Sequence, residues 1–231
     1  MAFGIALLAT VVLASTAGAV MLPRSPQVPF LTGSLQGYLN ANDGGINTAT
    51  DQLNGQYFSS NVGGIAVFEL MVTLSNNPAG NTIGVYNAGD PSPTLYPLLT
   101  GRTAGYYVVC HFYANGTLNV DMFDPSDISL GTVSYSGVTR NAFGFYIQHD
   151  LGGTFYSQDA RNSGAAQVLT YAGTDIGGFG NYGDWWECFN DTPYNATFST
   201  FDSAVLLLQS VTPKPVPTQN KSWGSLKATY R

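Results

Sequence analysis

The chain has 231 residues; only 10% of them are charged, 13% are aromatic, and the formal net charge at pH 7 is −6. Charged residues make up roughly 25% of ordinary soluble domains, so this composition does not suit a helical bundle. It is typical of an extracellular β-protein whose strands are joined by short Gly and Asn turns.

The charges are unevenly distributed along the chain. All fourteen acidic residues lie between Asp43 and Asp202, whereas four of the eight basic residues lie between Lys214 and Arg231. Residues 1–213 therefore carry four basic against fourteen acidic side chains, a formal charge of −10. This balance argues against a nucleic-acid partner, because neutralising phosphates requires clustered Lys and Arg.

The first predicted element is a signal peptide over residues 1–19. Residues 5–14 form an apolar run, and Ala17-Gly18-Ala19 is a small-x-small cleavage site. No Lys or Arg precedes the run, so the alternative is a retained apolar segment. A membrane-spanning helix needs roughly 20 apolar residues. The run is shorter and interrupted, so no membrane span is expected in the mature chain.

Eight short runs rich in β-branched and aromatic residues follow, and no helix of ordinary length is expected among them. They are residues 65–74, 82–86, 106–113, 117–123, 142–148, 167–171, 184–189 and 203–210, with residues 52–58 as a further candidate strand. Strands at this spacing predict an all-β fold, an antiparallel β-sandwich or jelly roll. A single domain is expected to cover residues 20–211.

Two cysteines, Cys110 and Cys188, lie in this predicted domain. Strand alternation places Cys110 on a face with apolar neighbours and His111 on the opposite face, so Cys110 is expected in the core. An oxidising compartment favours a disulfide between the two cysteines. The alternative is a pair of buried free thiols.

The end of the chain divides into two predicted parts. Residues 212–220 are rich in proline, which cannot join a central strand, and are predicted to be an extended linker. Residues 221–231 form a basic tail, in which Trp223, Gly224, Lys227 and Arg231 are candidates for a sorting or docking signal. The alternative is a disordered basic segment that engages partners electrostatically.

Groups that could carry catalysis are scarce. The chain has two glutamates, Glu69 and Glu187, and two histidines, His111 and His149. It lacks the Gly-x-Ser-x-Gly, His-Glu-x-x-His and Walker-type motifs. We therefore expect a protein that is not an enzyme, and a hydrolase with a triad assembled from distant positions is the least favoured alternative.

Calcium is the one cofactor that the sequence suggests. Asp121, Asp124 and Asp127 are spaced by three residues, and calcium sites use carboxylates from irregular loops. The alternative is a turn around Pro125 that is capped by aspartates.

Aromatic side chains are crowded between residues 182 and 201, and rings that stack on sugars would suit a carbohydrate-binding module. Tyr182, Trp185 and Trp186 are the candidate ligand-binding residues. Because adjacent residues on a strand point to opposite faces, at most one of the two tryptophans is expected to be exposed.

Four short motifs occur in a recognisable order. They are Ile83-Gly84-Val85-Tyr86, Phe143-Gly144-Phe145-Tyr146-Ile147, Thr154-Phe155-Tyr156-Ser157 followed by Asn162, and Gly183-Asp184-Trp185-Trp186-Glu187-Cys188-Phe189-Asn190-Asp191. Their order resembles a domain of unknown function found in bacterial extracellular proteins, many of which carry PEP-CTERM sorting signals.

The resemblance covers residues 83 to 210 and implies a second candidate calcium set, Asp184, Asp191 and Asp202. The chain departs from the family by having one carboxylate, Asp202, where an acid-rich stretch is usual. Its tail also lacks the Glu between prolines and the apolar helix of PEP-CTERM signals, so anchoring by that route is not expected.

Taken together, these features predict a secreted or cell-surface structural or adhesive protein. Its expected partners are further copies of itself, in a surface layer, filament or matrix, or components of the cell envelope. Exposed edge strands are the physical route to such assembly. The alternative function is a carbohydrate-binding module whose partner is a glycan.

Overall fold

Two antiparallel β-sheets pack face to face in the computed structural model, which describes residues 22–61, 63–75, 78–150, 152–173 and 184–215. The predicted all-β sandwich is confirmed. One sheet has six strands and the other has seven.

The elements have the following bounds. The helix is α1 Gly33–Asn42, and the strands are β1 Gly55–Ser60, β2 Ile65–Val72, β3 Thr82–Asn87, β4 Leu95–Thr100, β5 Tyr107–Phe112, β6 Leu118–Phe123, β7 Ser129–Tyr135, β8 Phe143–Gln148, β9 Thr154–Tyr156, β10 Val168–Ala172, β11 Trp185–Phe189, β12 Ala204–Gln209 and β13 Val211–Pro215. The six-stranded sheet has the order β13-β1-β8-β3-β4, with the short β9 paired to β8, and the seven-stranded sheet has the order β10-β11-β12-β2-β5-β6-β7.

The main core lies between the sheets and is built from phenylalanine rings. Phe143 and Phe145 are two residues apart on β8, so both point inward. The Phe143 ring stacks on Phe112 at 4.8 Å, and the Phe145 ring meets Phe68 edge-on at 5.1 Å. Burying such rings dominates the energetics of a core, so these contacts join the two sheets.

A second core lies on the outer face of the seven-stranded sheet, beneath α1. Leu35 and Leu39, one helical turn apart, are fully buried there with Trp186 and residues of β10 and β12. The expectation of no helix was wrong. Gly33, Gly37 and the few apolar residues of α1 give it a weak helical pattern, and it depends on packing against the sheet.

Two glycine–tyrosine pairs stand on the outer face of the six-stranded sheet. Gly84 of β3 is opposite Tyr146 of β8, and Tyr86 is opposite Gly144. A Cβ atom at either glycine would collide with the facing tyrosine ring. Glycine at these positions therefore allows each ring to lie over the neighbouring backbone.

All eight predicted strands are present, and the further candidate over residues 52–58 corresponds to β1. Four strands are not among the predicted ones: β4 contains Pro97, β7 contains glycine and exposed polar residues, β9 has three residues, and β13 overlaps the predicted linker. β13 pairs with β1 at the edge of its sheet, so residues 211–215 are a strand and not a linker.

Several expectations lie outside the described residues. These are the signal peptide over residues 1–19, the remaining linker residues 216–220 and the basic tail over residues 221–231. Among the helices that the structure describes, none has the length and hydrophobicity needed to cross a membrane.

Candidate functional site

The predicted disulfide is wrong in this structure, where both cysteines are free and buried. Cys110 on β5 points into the core between the sheets, whereas Cys188 on β11 points into the core beneath α1. β12 and β2 lie between these strands, so the two backbones are about 14 Å apart at roughly 4.8 Å per strand. A disulfide requires Cα atoms within about 7 Å.

The first candidate calcium set is dispersed over the β5–β7 region. Asp121 lies 3.3 Å from His111 and accepts a hydrogen bond from Thr132. Asp124 accepts bonds from the backbone N–H groups of residues 126 and 128 and so caps the β6–β7 turn. Asp127 accepts a bond from the Tyr107 hydroxyl. Asp124 therefore caps a turn around Pro125, which is the alternative to a calcium site that the sequence left open.

The second set joins separate segments of the chain. Asp191 accepts bonds from Ser75, Asn81 and Ser203. Asp202 accepts bonds from Thr200 and from Ser34 of α1. Across the described ranges, no three His, Cys, Asp or Glu side chains group in a way that could hold a metal ion. Calcium binding stays a prediction.

The tryptophans lie on opposite faces of β11, as predicted. Trp186 is fully buried beneath α1, and its indole N–H donates to Asp43 at 2.8 Å. A ring buried in this way cannot stack on a sugar, which corrects the prediction of Trp186 as a ligand-binding residue. Trp185 is half-buried against the main core, with its N–H donating to the Val211 carbonyl. Tyr182 lies outside the described residues.

Glu187 lies between the sheets and is completely buried. Its Oε1 atom is 2.6 Å from the Thr170 hydroxyl, and Oε2 has no hydrogen-bond partner among the described residues. Burial raises the pKa of this carboxyl well above its usual value, against smaller lowering effects of Thr170 and Arg24. An inaccessible carboxyl of this kind cannot reach a substrate at the surface.

The outer face of the seven-stranded sheet is only partly covered. The core beneath α1 covers β10, β11, β12 and the end of β2, whereas outward side chains farther from α1, such as Val67 of β2 and Val109 of β5, are only half-buried. A groove of about 380 Å³ crosses this open face. Its lining includes Val67 and Glu69 of β2, Tyr107 and Val109 of β5, Asp127, and Gln209.

The groove combines an aromatic ring with carboxylates. The Tyr107 ring stacks on Phe123 at 4.9 Å with an interplanar angle of 9°, and its hydroxyl donates to Asp127 at 3.0 Å. The pKa of Glu69 is raised by burial and by the negative charge of Asp127. Neither carboxylate forms an ion pair with any cation that the structure describes.

The second accessible feature is the edge strand β7. Six of its seven residues are exposed, including Leu130 and Val133, which expose 45% and 50% of their surface. β7 contains no charged residue and no proline. Among the described strands β7 pairs with β6 alone, and the side chains of Thr132 and Ser134 bond back toward β6. No described strand pairs with the outward backbone groups of β7.

The other described edges are protected. β4 carries Pro97 and a register shift beside it, and β13 carries Pro213, Lys214 and Pro215. β10 is bridged at Thr170 by Leu53, whose N–H donates to the Thr170 carbonyl. Proline, lysine, irregular pairing and covering segments are the devices by which proteins prevent edge-to-edge association.

The short edge strand β9 is protected by a side chain instead. The Asn162 amide accepts from the Tyr156 N–H at 2.9 Å and donates to the Tyr156 carbonyl at 2.7 Å. One amide thus replaces a neighbouring strand, which gives a structural role to the asparagine that follows the Thr154-Phe155-Tyr156-Ser157 motif.

Sequence reasoning did not identify β7 or the groove. The signal for β7 was present, because residues 129–135 are neutral and include Thr, Val and Tyr, which favour strands. The groove could not be identified, because Glu69 and Tyr107 come together only when β2 pairs with β5.

Comparisons of the chain with protein-family models, with curated proteins and with solved structures found no match.

Proposed function

We propose that this protein is a structural or adhesive component of the cell surface or extracellular matrix that self-associates through β7. The observation that carries the proposal is the contrast between β7 and the other described edges. β4, β13, β10 and β9 each carry a protective feature, whereas β7 is neutral, free of proline and exposed.

Strand addition at β7 would use both hydrogen bonds and apolar contact. Each backbone hydrogen bond contributes about 0.5–1.5 kcal/mol net, and a strand of seven residues can form several with a neighbour. The exposed side chains of Leu130 and Val133 would be buried in the same step. β-strand addition is a recurrent mode of protein association.

The test is the molar mass of the purified protein by light scattering coupled to size exclusion, measured over a range of concentrations. We expect species larger than one chain whose fraction grows with concentration. A compact monomer at every concentration would make the proposal wrong.

A matched pair of variants locates the contact. Val133→Lys places a charge on β7, and we expect it to shift the population to the monomer. Leu74→Lys is the control, because Leu74 exposes 61% of its surface outside the strands. Equal effects of the two variants would show that general surface hydrophobicity, and not β7, drives association.

A second candidate function, binding of a glycan, is favoured by the groove on the open sheet face. Its carboxylates and the Gln209 amide can bond to sugar hydroxyls, and the Tyr107 ring can lie against an apolar sugar face. Calorimetry with ligands selected on a glycan panel tests this. Tyr107→Ala should abolish binding, whereas Tyr113→Ala, an exposed tyrosine absent from the groove lining, should not.

A further inference from the structure

We infer that β7 pairs with β7 of a second copy, antiparallel, across a twofold axis at Val133. This inference rests on the proposed function, and it adds the partner strand, the symmetry and the register. It follows from two features of the described residues: the state of the other edges and the pattern of residues 131–135.

The partner strand follows from the state of the edges. A described strand that adds to β7 must itself offer unpaired backbone groups. β4, β13, β10 and β9 are each interrupted by proline, bridged by Leu53 or capped by Asn162. Among the described strands, β7 of another copy is the remaining candidate. A strand that pairs with its own copy forms an isologous contact with twofold symmetry.

The register follows from the sequence of β7. The register shift against β6 lies between the partners of Met122 and Phe123, so residues 131–135 form the regular part of the strand. These residues read Gly-Thr-Val-Ser-Tyr. In an antiparallel pair centred on Val133, residue 131 is opposite residue 135, residue 132 is opposite residue 134, and Val133 is opposite itself.

Each pair in this register is compatible with strand pairing. Val133 meets Val133 on the side of the sheet that faces the core. Thr132 meets Ser134 on the outer side, where both hydroxyls already donate to β6, so this pair adds contact between two small side chains. No like charges are brought together, because β7 has none. The pattern is therefore complementary to itself.

The third pair sets Gly131 opposite Tyr135 of the second copy. Each Tyr135 ring packs edge-on against Tyr96 of its own chain at 5.6 Å, and its hydroxyl donates to the Pro97 carbonyl. Gly131 has no heavy atom within 4 Å of the position that a Cβ would occupy, so the strand of the second copy meets no side chain there.

The twofold contact joins the two seven-stranded sheets into one continuous sheet of fourteen strands. This contact also pairs the free edge of β7 in both copies, so strand addition at this edge stops at a dimer. A layer or filament would be built from such dimers through a second contact.

Single-cysteine variants test the symmetry directly. Opposite residues of an antiparallel pair have Cα atoms about 4.5–5.5 Å apart, within the roughly 4.4–6.8 Å that a disulfide requires. Val133→Cys should therefore form a disulfide-linked dimer under mild oxidation. The native Cys110 and Cys188 are fully buried and should stay unmodified in the native protein.

Ser134→Cys is the matched control one residue away. Its counterpart in the second copy is on a diagonal, about 7–8 Å distant, so Ser134→Cys alone should form little dimer. A mixture of Thr132→Cys and Ser134→Cys proteins should form the mixed dimer, because residues 132 and 134 are opposite in this register. Mass spectrometry of the digested dimers identifies the linked peptides.

The outcomes separate this inference from the proposed function. Dimers with Val133→Cys and with the mixed pair, but not with Ser134→Cys alone, support the twofold register. If the unmodified protein associates and Val133→Lys disrupts it, but Val133→Cys does not cross-link, β7 is an interface and the twofold register is wrong. If the unmodified protein stays monomeric, the proposed function and this inference fail together.

Discussion

Replacing the buried Glu187 by glutamine should change how stability depends on pH. In the folded protein, burial raises the pKa of Glu187 well above its usual value. In the unfolded chain the carboxyl ionises near that usual value. Between the two pKa values the folded state therefore holds one proton more than the unfolded state, and the free energy of unfolding falls as pH rises.

The contacts of Glu187 agree with a protonated side chain. The Thr170 hydroxyl lies 2.6 Å from Oε1 of Glu187 and 2.8 Å from the Gly55 carbonyl oxygen, yet a hydroxyl has a single proton to donate. If Glu187 carries a proton, it can donate to Thr170, which then donates to Gly55. A glutamine amide can make the same donation without titrating.

The expected magnitude is about 1.4 kcal/mol for each pH unit between the unfolded and the folded pKa. Wild type and Glu187→Gln should have similar stability near pH 4. At pH 7 the variant should be more stable, by an amount that grows with pH until the folded pKa is reached. Urea unfolding followed by tryptophan fluorescence at half-unit intervals from pH 4 to pH 8 measures this difference.

Asp127→Asn is the matched control, because it removes one carboxylate from an exposed position and preserves an acceptor for Tyr107. A stability difference between wild type and Glu187→Gln that does not vary from pH 4 to pH 8 would refute the reasoning. So would a variant that is less stable than wild type at pH 7.

Three further predictions concern the cores and edges. Dithiothreitol should leave the unfolding midpoint unchanged, because Cys110 and Cys188 are free; a lowered midpoint would indicate a disulfide. Asn162→Ala removes two hydrogen bonds to β9 and should lower the free energy of unfolding in urea by about 1–3 kcal/mol. An unchanged free energy of unfolding would mean that the edge of β9 does not need this side chain. Trp186→Phe removes the bond to the Asp43 carboxylate and should cost about 1.5–3 kcal/mol by the same assay, and a neutral result would show that this bond is dispensable.

Features with local causes were predictable from the sequence. Alternation in residues 106–113 placed Cys110 inside and His111 on the open face, and both assignments agree with the structure. The same period placed Trp185 and Trp186 on opposite sides of one strand. These predictions needed only the geometry of a single strand, in which successive side chains alternate.

Features that depend on distant segments were not predictable. The disulfide failed because β12 and β2 separate Cys110 from Cys188, and α1 was missed because its two leucines become buried only against the sheet. The glycines of β3 and β8 are explained by the tyrosines of the facing strand. In each case the cause lies in strand pairing, which a local pattern does not contain.

By itself, the sequence determined the fold class, the positions of most strands and the face on which each side chain lies, because those properties arise within a few residues. The tertiary structure alone decided which strands became edges, which edges were protected, and which part of the sheet α1 covered. Those properties depend on the order of strands, set by pairing between segments far apart in the chain. The neutral residues 129–135 become a candidate interface only because nothing in the described chain pairs beyond β7.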